Sequence, residues 1–220
     1  MSTYTISKLN KVVRGQNRAT YDVDKVNSII DAGFIAHVAY NYNGKAICIP
    51  MAYGRIDNKI YLHGSLKNRM LLSLLEAETA SLTIMHLDGL VLARSGFHHS
   101  VNYRSATLFT TVTKVEHPET KEAALKCIVD YMIPDRWDSI RPMNAKEFNS
   151  TLVLELEIRS ASAKIRAEGV NDEKSDLDLP IWAGIVPIKQ ITKPPISDDG
   201  LQKHIKTPQH VTNYYKKHKS

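Results

Sequence analysis

Two turn signals constrain this chain more than anything else in it. Asn43-Gly44 follows the β-prone run Phe34 to Tyr42, and Asp57-Asn58 follows a return run from about Lys45 to Arg55. An Asn-Gly pair readily adopts the positive backbone angles of a two-residue hairpin turn. A third run, Lys59 to His63, comes straight after the second turn. Three consecutive strands joined by tight turns form an antiparallel meander, which ends as a half-exposed sheet or closes into a barrel.

The rest of the chain adds to this meander. Residues 1–21 are polar, lack a period and read as an N-terminal arm. Asp22 then caps a helix with Val23, Val26, Ile29 and Ile30 on one face, and Gly33 stops it. Ser65 is a good N-cap for a second helix, with Leu66, Met70, Leu71, Leu74 and Leu75 along one side. Ala80 to Leu87 and Leu90 to Ser95 read as strands about a turn at Asp88-Gly89, and Ser105 to Glu116 as a long strand. Pro118 opens a helix that runs to about Met132. Thr151 to Ile158 alternates apolar and acidic residues like a half-buried strand, with Glu155 and Glu157 toward solvent. An acidic loop, Asp172 to Asp178, and an apolar patch, Leu179 to Pro187, follow, and the last 30 or so residues have no core pattern. Six or seven strands and three helices without strict alternation disfavour a parallel doubly wound sheet. The expected fold class is mainly β, an antiparallel barrel with appended helices. Its body spans residues 22–190 and a basic tail spans 191–220.

The formal net charge of +6 raises the question of nucleic acid. Seven lysines and two acids lie between Lys189 and Ser220, a balance of +5, so the body is nearly neutral. A basic tail of this kind is solvated, and a nucleic-acid partner is not expected. No run approaches the roughly 18–20 apolar residues that span a bilayer. Met1 to Asn10 is polar and holds no secretory h-region, so the expectation is a cytoplasmic protein with no membrane partner. Cys48 and Cys127 share no metal-binding spacing, and reduced thiols in or near the core are expected, with no metal site.

Three segments could carry chemistry. In Ile60-Tyr61-Leu62-His63-Gly64-Ser65-Leu66-Lys67-Asn68-Arg69, a strand ends at His63, Gly64 turns the chain and Ser65 opens a helix. Lys67, Asn68 and Arg69 then occupy its first turn, where free amides and partial positive charge disfavour further cations. A bound phosphate reverses that sign, and arginine grips phosphate bidentately. The bland alternative is a pair of surface cations. The second segment is Arg94-Ser95-Gly96-Phe97-His98-His99-Ser100-Val101-Asn102-Tyr103-Arg104. Adjacent histidines on a strand point to opposite faces and suit one metal ion poorly. Hydrogen bonding to a planar polar ligand, with Phe97 and Tyr103 as walls, competes there with a satisfied polar loop. The third, Trp182-Ala183-Gly184, can pack a ring ligand, anchor a dimer or belong to the core. The chain has no GxSxG elbow, Walker lysine loop or GxGxxG, and no catalytic residue is assigned.

The order of these pieces resembles the pyridoxamine 5'-phosphate oxidase-like, flavin-nucleotide-binding proteins of the split-barrel fold. They are the helix, the Asn-Gly hairpin, Ala46 to Tyr53, Tyr61 to Arg69, Leu92 to Ser105 and Leu179 to Gly184. The branch that includes nitroimidazole-resistance proteins is more similar than the true oxidase. The resemblance implies a homodimer with FMN at the subunit interface. It puts Ile49, Pro50 and Met51 along the flavin ring, and Leu62, His63, Ser65, Lys67, Asn68 and Arg69 at the ribityl and phosphate. Ser95, His99, Asn102, Tyr103 and Arg104 would act from across the cleft, and Trp182 would close the pocket from the partner chain. The oxidase's Arg-Lys pair is replaced by the run Lys67-Asn68-Arg69 and its C-terminal arginine motif is missing, so vitamin B6 oxidation is not implied. What is implied is an FMN-dependent oxidoreductase that passes electrons from a nicotinamide donor to a small-molecule substrate. The alternatives are a non-enzymatic flavin carrier or sensor, and a haem-binding split barrel using His63, His98 or His99, with further histidines in the tail.

Overall fold

The computed structural model describes residues 2–220. In chain order its elements are β1 (Ala19–Thr20), α1 (Val23–Asp31), β2 (Ile35–Tyr42), β3 (Lys45–Ala52), β4 (Gly54–Ile56), β5 (Lys59–Ser65) and α2 (Arg69–Ala77). They continue with β6 (Thr79–Leu92), β7 (Ser100–Lys114), α3 (Pro118–Met132), α4 (Ala145–Ser150), β8 (Thr151–Arg166), β9 (Gly184–Pro187) and α5 (Gln209–His218). All strands join one antiparallel sheet of order β3-β2-β6-β7-β8-β5-β4, with β1 on β8 and β9 on β6. The mainly β antiparallel class is the one expected. The nine strands exceed the six or seven read from the sequence, and α4 and α5 are additional helices.

The meander forms as its turns dictate. Asn43 and Gly44 take φ values of 50° and 73°, and β2 and β3 pair from Tyr42↔Lys45 to Ile35↔Ala52. The return run, however, is two strands. Tyr53 alone separates β3, paired with β2, from β4, paired with β5. The chain therefore changes neighbour within one residue. Tyr53 is fully buried, and its hydroxyl donates between the carbonyls of Ile30 (2.5 Å) and Gly33 (3.0 Å) at the end of α1. Arg55 forks Asp31 at 2.7 and 2.5 Å, and Tyr131 of α3 donates to the same carboxylate. Burial alone would raise the Asp31 carboxyl, but these partners hold it below its ordinary range.

This corner splits the barrel. The β4–β5 register, Gly54↔Tyr61 and Ile56↔Lys59, would continue to Ala52 against His63 and Pro50 against Ser65. Neither pair forms, because β3 has turned to β2. Leu62 to Ser65 keep a partner on one side only, β8. Inside the barrel, Val38, Leu62, Leu82, Leu108 and Leu154 are fully buried, with Ile29 and Ile30 of α1 and Leu71 and Leu74 of α2. On the outside, Leu125 and Ile128 of α3 pack over Tyr61 and Val153.

Several local readings are corrected. Asp88-Gly89 is a bulge inside the continuous strand β6, with the register shifting between Leu87 and Gly89. A Cβ at Gly89 would stand 3.2 Å from the Val186 carbonyl, so the glycine admits β9 alongside and does not reverse the chain. Cys48 is exposed on the edge strand β3, not in the core, while burial pushes the half-buried Cys127 thiol up to about 11. Glu155 is only partly exposed, pairing with Lys59 (2.7 Å) and accepting from Tyr61 (2.9 Å). The polar arm is docked: the Asn10 amide, 2% exposed, donates to Thr5 (3.0 Å) and Ala161 (3.1 Å) carbonyls. In the tail, the Thr192 amide donates to the His218 carbonyl of α5 at 2.8 Å. Among the described residues no helix is long and apolar enough to cross a membrane.

The corner makes a direct prediction. A Cβ at Gly54 would stand 2.7 Å from Cys127 Sγ and 2.8 Å from the Ile128 backbone nitrogen. Helix backbone cannot yield as a side chain can, so Gly54→Ala should cost about 2–3 kcal/mol of stability. Urea unfolding of the two proteins checks this, and an unchanged midpoint would count against the tight corner.

Candidate functional site

The helix after β5 begins at Arg69, not at Ser65. Strand pairing holds the chain extended through Ser65↔Thr151, and the Leu66 amide donates to the Ser150 carbonyl at 3.2 Å. Leu66 thus lies outside the helix and is exposed. Asn68 takes the cap, its side chain accepting from the Leu71 amide at 3.1 Å. Ser65 Oγ accepts from the Lys67 amide at 3.2 Å. Lys67 and Asn68 therefore precede the helix, and only Arg69 stands in its first turn. The Arg69 guanidinium lies 4.6 Å over the Tyr42 ring, and its Nη2 is 3.5 Å from the Tyr40 hydroxyl. Neither Lys67 nor Arg69 has a carboxylate partner among the described residues. Two uncompensated cations thus stand at the open end of the split.

Other residues frame this opening. On β3, Ile49 and Met51 pack toward the core and Pro50 is exposed opposite His37. The Leu62 side chain is fully buried in the core, so only its backbone can meet a ligand. Past Tyr61 the outer edge of β5 has no strand partner, which leaves main-chain donors and acceptors for a planar polar molecule.

The later polar segment divides into used and unused groups. Asn102 Oδ1 accepts from Arg166 Nη1 (2.5 Å) and the Glu168 amide (3.2 Å), and its Nδ2 donates to the Glu168 carbonyl (3.1 Å). Arg104 forks Asp88 with two bonds of 2.9 Å. Both side chains, expected at the ligand, are engaged within the fold. Tyr103 is half-buried between Leu87 and Arg166 in the ladders. The Ser95 carbonyl lies 2.8 Å from His99 Nδ1, while Ser95 Oγ is buried without a partner. Trp182 is 66% exposed and packs its ring over Gly184, where a Cβ would fall 2.8 Å away. No hydrogen bond, ion pair or strand pairing among the described residues joins this group to the one around Arg69. Sequence reading missed the supports Tyr40, Tyr42, Asp88, Arg166 and Asp172, which holds Arg94 at 2.7 Å. Tyr40 and Tyr42 just before the Asn43-Gly44 turn were the one visible signal.

His63 is half-buried, and its Nδ1 is buried with no partner. Leaving such an atom unpaired costs about 1–3 kcal/mol, a demand that a ligand atom can meet. Burial lowers its pKa below the ordinary value. The unfolded chain therefore takes that proton first as pH falls. His63's contribution to stability is full above about pH 6.5 and is lost as pH drops through the folded pKa. Between about pH 7.5 and 5.5, His63→Gln should lose less thermal stability than the parent chain. Equal losses in the two proteins would show that His63 titrates normally.

A profile of the family "Pyridoxamine 5'-phosphate oxidase" matches residues 22–165. No curated protein matches the chain. Among solved structures, the flavocytochrome Anf3 from Azotobacter vinelandii is 34% identical with a TM-score of 0.89, covering 94% of this chain and 97% of its own. A FAD and heme binding protein from Mycobacterium smegmatis is 29% identical with a TM-score of 0.85, covering 90% and 97%. A protein assigned to 5-nitroimidazole antibiotic resistance in Bacteroides thetaiotaomicron shares the fold at 20% identity and a TM-score of 0.57, covering 67% and 86%. With a split antiparallel barrel and a profile match over more than half its length, the chain belongs to the pyridoxamine 5'-phosphate oxidase family.

Proposed function

We propose that the chain binds a flavin by its ring and ribityl phosphate, the part common to FMN and FAD, and serves as an oxidoreductase. Electrons would pass from a nicotinamide donor to a small acceptor. The observation that carries this reading is the split between β3 and β5, with uncompensated Lys67 and Arg69 at its end. A bound flavin supplies the electron transfer, so the chain needs no dedicated acid–base pair. Arg69, steadied over Tyr42, holds the phosphate, and Lys67 adds a second charge. The free edge of Leu62 and His63 hydrogen-bonds the polar rim of the ring, and Pro50 and Met51 bound it from the other strand. Haem beside the flavin is a second reading. It is favoured by the flavocytochrome and the FAD and heme binding protein above, and by the unpaired Nδ1 of His63.

A homodimer follows from the same reading. Met85, Leu87, Leu90, Val101 and Val186 are all exposed, and the ladders Leu90↔Val101 and Leu90↔Val186 bring three of them together across β6, β7 and β9. Apolar faces of this kind mark interaction surfaces. Ser95 and Trp182, unconnected to the Arg69 group within one chain, would complete the site of a second copy.

The test is the spectrum of the purified chain and its titration with flavin. Flavin absorbs near ~450 nm and haem near ~400 nm, positions set by the cofactor. Arg69→Ala should weaken flavin binding by about tenfold to a hundredfold while leaving the unfolding midpoint in place. Nicotinamide oxidation no faster than with free flavin would make the protein a carrier. A chain that takes up no flavin at all would overturn the proposal.

A further inference from the structure

The N-terminal arm meets the end of β8 over a cluster of cations that the flavin reading does not use. Lys164 and Arg166 lie two apart on β8 and so share one face of the strand. β1 pairs beside them, Ala19↔Lys164, which brings Arg18 of the arm alongside. Among the described residues, Glu168 is the only acid paired with any of the three. Its Oε2 lies 3.2 Å from Arg18 Nη2 and 3.5 Å from Arg166 Nε. Lys164 Nζ reaches the Arg14 carbonyl at 3.3 Å and has no carboxylate partner among the described residues.

Arg166 is 3% exposed. Its Nη1 and Nη2 donate to Asn102 Oδ1 and to the carbonyls of Glu168 and Gly169. Its Nε and that of Arg18 are both buried without a hydrogen bond. An oxygen 3.5 Å away serves a buried N–H poorly. Glu168, tethered two residues beyond Arg166, offers the same oxygen to both arginines. Three cations therefore face one carboxylate, a surplus of two charges. A phosphate group carries about −1.5 to −2 and has oxygens enough for both guanidinium groups and the Lys164 amine. The Glu168 side chain, 47% exposed, has room to swing toward solvent and admit it. We propose that Arg18, Lys164 and Arg166 bind the phosphate group of a small molecule, and that the Glu168 carboxylate stands in for it. Arg18 belongs to the arm and Arg166 to the barrel, so the bound group fastens one to the other. No hydrogen bond or ion pair among the described residues joins this cluster to Lys67 or Arg69.

Binding of inorganic phosphate to the full chain is followed by calorimetry and thermal unfolding, with chloride at matched ionic strength as the control. All chains carry Arg69→Ala, which keeps the cations at the split out of the measurement. Glu168→Gln removes the internal competitor. It should bind phosphate at least about tenfold more tightly than the chain that keeps Glu168, and phosphate should raise its melting temperature. Adding Arg18→Gln, on the arm outside the barrel, should abolish both effects, and circular dichroism checks that the fold is kept. Were Glu168 only a structural partner of the two arginines, Glu168→Gln would melt lower by the same amount in both salts, with no gain from phosphate. That result, or tight binding that survives Arg18→Gln, would overturn the proposal.

Discussion

The Tyr53 hydroxyl, held between the Ile30 and Gly33 carbonyls, fixes where the chain leaves β2 for β5. Every other feature of the opening depends on this anchor. A buried phenol is stable only with its oxygen partnered, and the end of α1 supplies those partners. Gly54, the next residue, then lies against the α3 backbone, which no residue with a Cβ could do unchanged. Asp31, Arg55 and Tyr131 lock α1, β4 and α3 around the same point. With the bend fixed, β3 and β5 must diverge, and the split is the geometric result.

The polar side chains of the barrel fall into two energetic classes. Asn102 and Arg104 have their hydrogen bonds satisfied within the fold, so their work is to hold strand ends in place. His63, Ser95 and Ser160 each keep a buried polar atom unsatisfied. Such atoms are a cost of folding that a ligand or a partner chain can remove. Residue type alone does not separate the classes, since both draw on side chains that suit ligand binding. What separates them is whether a neighbouring element already supplies the missing donor or acceptor.

That distinction explains what the sequence made legible. The Asn43-Gly44 hairpin, the Asp22 cap and the Pro118 helix start are local, and each formed where its chemistry pointed. The barrel class followed from the meander. The misread points were all decided by distant chain. Asp88-Gly89 looked like a turn, but β9 lies against it and Arg104 takes its carboxylate. Ser65 looked like a cap, but β8 keeps it extended, and Asn68, an equally good cap, takes the role. The tail helix α5 has no buried face of its own, so no apolar period announced it. At the site, the cations and His63 could be found by motif, whereas their supports at Tyr40 and Tyr42 depended on where β2 came to lie.

The single-residue junction at Tyr53 also bears on how chains of this kind can diverge. Side chains on a strand alternate between faces, so one inserted residue beyond the junction would turn every following side chain of β4 inside out. Hairpin tips such as Asn43-Gly44 have open space around them and can lengthen without that penalty. Insertions and deletions among descendants of such a chain would therefore collect at the tips and spare the corner. The spacing between the strand along one side of the opening and the strand along the other would be inherited as a fixed length, even where the residues themselves drift.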